Sequence, residues 1–148
     1  MVGEHGFRNH EGVPESMKTL GAQRRSIKNH SQLAAVLERR YGSAFQSVQL
    51  ENMKLGEQIE LFRQAVLVIG QHGAGLNNVV WMKNEGGAVI ELGRPLVPTF
   101  INLCGTKGLR IKQLHKDTEG HLSVEPEFFT KALQELEDEI PELESLCL

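Results

Sequence analysis

Residues 66–70 read VLVIG, an aliphatic run with no polar position in it. A strand with one face in water alternates apolar and polar residues, whereas a strand covered on both faces does not. The run is five residues long and ends in glycine, so it is predicted as a strand covered on both faces, in a sheet with helices on both sides. GAVIEL (87–92) reads as a second aliphatic strand, and QSVQL (46–50) as a short one. RIKQL (110–114) alternates and suits a sheet edge.

The segments between these runs carry the helical period. SQLAAVLERRYG puts Leu33, Val36 and Leu37 on one face and ends at Gly42, a natural C-terminal stop. LGEQIELFRQA repeats the pattern with Leu55, Ile59 and Phe62. GLNNVVWM and TFINLCGTKG read as two further helices. In PEFFTKALQELEDEI, Phe129, Leu133, Leu136 and Ile140 form one stripe. Pro126 suits the first helical turn and Pro141 ends or kinks the helix. Strands separated by helices predict a three-layer α/β fold with a parallel sheet of about four or five strands. The first 22 residues carry glycine, histidine and charge without a period and read as a flexible arm; 23–148 read as one domain.

The net charge of −3 argues against a nucleic-acid footprint, which needs clustered basic side chains. Cys104 and Cys147 make neither a disulfide framework nor metal-ligand spacing, and no metal site is expected. The apolar runs are far shorter than the roughly 20 residues a bilayer span requires, and MVGEHGFRNHEGVPE lacks the apolar core of a signal peptide. No membrane segment is expected, whether the sequence is complete or a piece of a longer, anchored protein.

The run 66–70 leads into GQHGAGLNN (70–78). In a parallel α/β sheet, ligands bind beyond the carboxyl ends of the strands, where this loop stands. A dinucleotide fingerprint needs glycine at the third position, which here is His72. A P-loop needs Lys and then Ser or Thr after its last glycine, and Leu76 and Asn77 follow Gly75. What remains is a strand, a loop of small residues and a helix start whose free N–H groups attract an anion. Gly73, Ala74 and Gly75 permit close approach, and His72 is placed to donate to a phosphate oxygen. Equally, the glycines serve a sharp turn and close packing, with His72 merely solvated.

Glu91 interrupts an aliphatic strand near its carboxyl end. There it is either a ribose ligand or an exposed charge at a strand tip. Arg24 and Arg25 form a pair suited to a diphosphate, or an ordinary basic surface. Glu57 and Gln58 lie in the helix before the loop strand; Glu57 fits a solvated face, and Gln58 a support behind the loop.

The stretches RRSIKNHSQL, LENMKLGEQIELFRQAVLVIGQHGAGLNNVVWM and GAVIELG resemble glycosyltransferase family 61 in order and spacing, over about residues 24–129. That family includes plant xylosyl- and arabinosyltransferases and the animal O-GlcNAc transferase of EGF-like domains. The resemblance implies an inverting, metal-independent transferase of the GT-B architecture. This chain would be its Rossmann-like donor half, with a UDP-sugar as substrate and no further cofactor. It implies Arg24 and Arg25 as diphosphate contacts and His72, Gly73, Ala74 and Gly75 as the loop against the donor. Asn78 would brace that loop, and Glu91 would hold the ribose. Asn77 stands where the family usually has Thr. The glycan or glycoprotein acceptor and the catalytic base would belong to the other half, which this chain does not contain, so that it would be inactive alone. Eukaryotic relatives act in the secretory lumen. A stand-alone α/β binding module without transfer chemistry is the alternative, and an uncovered inter-domain face would favour homo-oligomers.

Overall fold

The computed structural model describes residues 27–93, 97–114 and 122–148; the flexible arm expected over 1–22 lies outside them. Strands β1 (Leu67–Gln71), β2 (Ala88–Leu92) and β3 (Arg110–Leu114) run parallel and lie side by side in chain order. The register sets Gly70 opposite Glu91, and Glu91 opposite Gln113. β2 is buried at every position, as its unbroken aliphatic run requires. β3 is exposed at Arg110 and half-buried beyond it, the edge behaviour that its alternation predicts.

Parallel neighbours need crossovers. A 3-10 helix (Ala74–Trp81) joins β1 to β2, and after α1 (His30–Tyr41) and α2 (Leu55–Gln64) in the chain, α3 (Pro98–Thr106) joins β2 to β3. Crossovers of one hand in a sheet of sequential order fall on one face. There Phe62 of α2, Leu76, Val79, Phe100 and Cys104 pack with Val68 and Val89. On the opposite face α1, α4 (Pro126–Glu139) and α5 (Pro141–Glu144) pack Leu33, Leu37, Phe129, Leu133 and Leu136 with Ile69 and Ile90. Each such side chain, removed from water, contributes about 1.5–3 kcal/mol.

One polar cluster fastens α1 to α4. Glu137 is 3% exposed. Its Oε1 accepts from Arg40 Nε and from Tyr41 Oη, each at 2.5 Å, while Arg40 Nη2 donates to Oε2. Burial alone would raise the Glu137 pKa, but the bonds from Arg40 and Tyr41 outweigh it and hold the carboxyl below its ordinary range. Burial, and then the bond to Glu137, push the Tyr41 hydroxyl well up.

Among the described residues the sheet has three parallel strands of the four or five expected. Other elements differ in detail from their expectation. In the stretch 46–50 only Val48 makes a β-bridge, because Gln46, Ser47 and Gln49 are exposed and a 3-10 turn at Leu50–Asn52 cuts the run short. The GLNNVVWM helix is a 3-10 helix rather than an α-helix. Leu55 is 64% exposed although Phe62 of the same stripe is buried; a first-turn side chain leans towards the helix N-terminus, past the end of the layer.

Candidate functional site

The amide of His72 donates to the Leu92 carbonyl at 2.9 Å, extending the β1–β2 ladder one residue past Gln71. Side chains two apart on a strand share a face, so His72 stands on the same face as Val68 and Gly70. Gly70 has no side chain, and Glu91 lies directly across from it. The imidazole uses that space: its Nδ1 lies 2.5 Å from Glu91 Oε1. The second oxygen, Oε2, accepts from Gln113 Nε2 at 2.5 Å. His72, Glu91 and Gln113 thus form a row across the carboxyl end of the sheet, one residue from each strand line.

Glu91 is 2% exposed, so it is not the solvated strand-tip charge that was one of its two readings. The His72 side chain is 35% exposed, and its Nε2 has no hydrogen-bond partner among the described residues. Burial, and then the Glu91 charge, push the Cys104 thiol up to about 11. Cys104 packs in the cluster of Val68 and Val89 and is protonated at neutral pH.

The loop backbone bears on one part of these readings, the sharp turn. Left-handed φ values fall at Gly42, Glu85, Gly86, Gly93 and Gly108 among the described residues, and none lies within 70–75. Gly73 has φ 168° and ψ 176°, an extended conformation. A sharp turn therefore does not call for glycine here; close packing and room for a ligand are the readings that remain. The first amide paired in the 3-10 helix is that of Leu76, to the Gly73 carbonyl at 3.1 Å. The amides of Gly73 and Gly75 have no acceptor among the described residues. Of Ala74, only the backbone is described. Eight residues is long for a 3-10 helix, and such stretches recur at functional positions.

Asn78 and Gln58 brace this helix. Asn78 Nδ2 donates to Gln58 Oε1 at 3.0 Å, and Gln58 Nε2 donates to the carbonyls of Leu50 and Met53 at 2.9 and 3.0 Å. Glu57 is exposed and accepts from the Lys54 amide at 2.7 Å; it caps α2 and does not meet the loop. Arg24 and Arg25 lie outside the described residues. The backbone leading from them is anchored at Ile27, which bridges Leu122, and at Asn29, whose side chain bonds both the carbonyl and the amide of Val124.

Gln113 was not singled out from sequence. Its signal is the register alone: same-face residues of adjacent strands, 22 positions apart. Among the described residues no group of three or more His, Cys, Asp or Glu side chains is arranged to hold a metal ion, and no helix is long and apolar enough to cross a membrane. A cavity of about 230 Å³ opens along β1, lined by Leu37, Tyr41, Phe45, Val48 and Leu67, and includes no residue of the loop.

The family model described as Glycosyltransferase 61 matches residues 17–89, just under half of the chain. The match takes in Arg24, Arg25, Gln58, His72 and Asn78 and stops two residues before Glu91. A search of curated proteins gives no match.

Proposed function

We propose that this chain, whose residues 17–89 match the family model described as Glycosyltransferase 61, is the donor-binding part of a glycosyltransferase that takes a UDP-sugar. The observation that carries the reading is that the amides of Gly73 and Gly75 have no acceptor among the described residues, in a backbone without a left-handed φ, next to the half-exposed His72. Such amides suit a group with many acceptor oxygens and net negative charge, which a diphosphate is. Hydrogen bonds to a charged group contribute about 1.5–3 kcal/mol each. Arg24 and Arg25 supply counter-charge in this reading, and Asn78 and Gln58 hold the helix start in place. Glu91, enclosed and bonded at both oxygens, serves the site through His72 rather than through a ribose.

In the transfer itself, an acceptor hydroxyl attacks the anomeric carbon from the side opposite the diphosphate. The bond from that carbon to the β-phosphate oxygen breaks, and its electron pair departs with the nucleotide, inverting the anomeric configuration. Charge grows on the departing oxygens, and fixed donors that meet it lower the barrier. The loop amides take that role, joined by His72 when both of its ring nitrogens carry hydrogen, so the reading needs no metal ion. The acceptor and its general base are not assigned to this chain.

Titration with UDP, in the presence and absence of a chelator, tests the proposal. At a hundredfold excess over Kd, a ligand that binds only the folded state stabilises by about 2.7 kcal/mol. For a domain of this size that is a rise in Tm of roughly 5–10 °C. His72→Ala is expected to weaken UDP binding about tenfold or more. A folded protein whose melting curve ignores saturating UDP refutes the reading.

A further inference from the structure

We infer that Gln113 is a positioning residue of the donor site, acting on His72 through Glu91. The inference rests on the donor reading for its functional consequence, but its geometry stands alone. A carboxylate that is 2% exposed must find partners for both oxygens inside the protein. Oε1 has the His72 ring, and Oε2 has the Gln113 amide. Without Gln113, Oε2 is left to compete with Oε1 for the single Nδ1–H, and the carboxylate is free to rotate about its last bond. The imidazole then loses the fixed acceptor that orients its ring. With Gln113 in place the Nδ1–H stays on Oε1 and the ring is held at the head of the loop, where Nε2 donates to an anion when it too carries hydrogen.

The row is built for this purpose by the register. Gly70, Glu91 and Gln113 are Cα partners across the three strands, spaced by the usual 4.7–4.9 Å between neighbouring strands. Glycine on β1 opens the place that the His72 ring takes. A long amide on β3 reaches the far oxygen from a half-buried edge position, where its own carbonyl is within reach of water. Second partners of this kind commonly set the tautomer and orientation of a functional histidine.

The test compares the wild-type chain with Gln113→Met, which keeps the length of the side chain and removes its donor. Gln113→Ala is the second variant should the first not fold. Ring ¹⁵N shifts of His72, read through long-range ¹H–¹⁵N correlation, report the hydrogen bond at Nδ1 in the free protein. Wild type is expected to show an Nδ1–H held on the Glu91 carboxylate, and either variant to shift the Nδ1 resonance as the carboxylate turns and that bond loosens. UDP binding is expected to weaken about threefold to tenfold in the same variants. Unchanged His72 nitrogen shifts in a folded variant overturn the role of Gln113. Failure of the wild type to bind UDP overturns the donor reading instead, and the nitrogen shifts still decide the positioning role.

Discussion

Arg40→Met removes both hydrogen bonds that Arg40 gives to Glu137 and leaves Tyr41 among its donors. Breaking a buried ion pair from one side typically costs 3–5 kcal/mol, because the remaining charge stays out of water. Here the Glu137 side chain is 2% exposed but that of Arg40 is 23% exposed, so water can partly replace the guanidinium. The loss is therefore expected at about 2–3 kcal/mol, a fall in Tm of roughly 5–10 °C. The double variant Arg40→Met/Glu137→Met removes the stranded charge and should recover at least half of that loss, since an apolar pair replaces a buried ionic one at little cost. The acid limb gives a second check. Glu137 is held below its ordinary pKa in the fold. A carboxyl depressed in this way contributes stability that is full above its unfolded value of about 4.3 and is lost as pH falls through the folded value. The gap between wild type and Arg40→Met should thus be full at neutral pH and narrow as the pH drops below about 4. Thermal and urea unfolding of both proteins across that range measure it. Equal stability at neutral pH, or a gap that persists undiminished in strong acid, refutes the reasoning.

Two shorter expectations follow from the strand ends. Gly93 has φ +121°, while a methyl group added there meets Gln71 Cγ and His72 Cβ only at 3.8 and 4.0 Å; Gly93→Ala should cost about 1–3 kcal/mol from the backbone alone, and a urea midpoint equal to wild type contradicts this. Cys104 is fully buried with its thiol pushed up to about 11, so at about pH 8 it should resist alkylation in the native protein and react once unfolded; mass spectrometry showing rapid native labelling at Cys104 sinks the burial argument.

Much of this fold is legible where the hydrophobic period is unambiguous. The stripe Phe129, Leu133, Leu136 and Ile140 is buried as its spacing requires, and Pro126 and Pro141 open α4 and α5. Unbroken VLVIG and GAVIEL mark strands covered on both faces, and alternating RIKQL marks an edge. QSVQL is also an alternating stretch, yet only Val48 takes part in a bridge. Two of its apolar positions face the core, and that is too little buried surface to hold a full strand at the margin. The 3-10 geometry of Ala74–Trp81 was not readable, because a short apolar stretch between glycines has no period long enough to separate 3.0 from 3.6 residues per turn.

The site separates into what a motif can carry and what only a register can. His72, with the glycines around it, is visible as a local string, and Asn78 and Gln58 come with it. Glu91 is visible as the one charge in an aliphatic strand, but its partner is not: a buried carboxylate announces a need for donors without naming them. Gly70, Glu91 and Gln113 stand 21 and 22 positions apart, each spacing one strand and one crossover long. Whether three such residues meet depends on the length of each crossover. A shift of one residue in the register of β3 would turn Gln113 to the other face and leave Lys112 or Leu114 beside Glu91. An ammonium there would bind the carboxylate and draw it from His72; a leucine would leave Oε2 without a donor. The setting of the histidine therefore depends on a strand that contributes nothing to the loop motif, and the function of the loop is bound to the fold through β3.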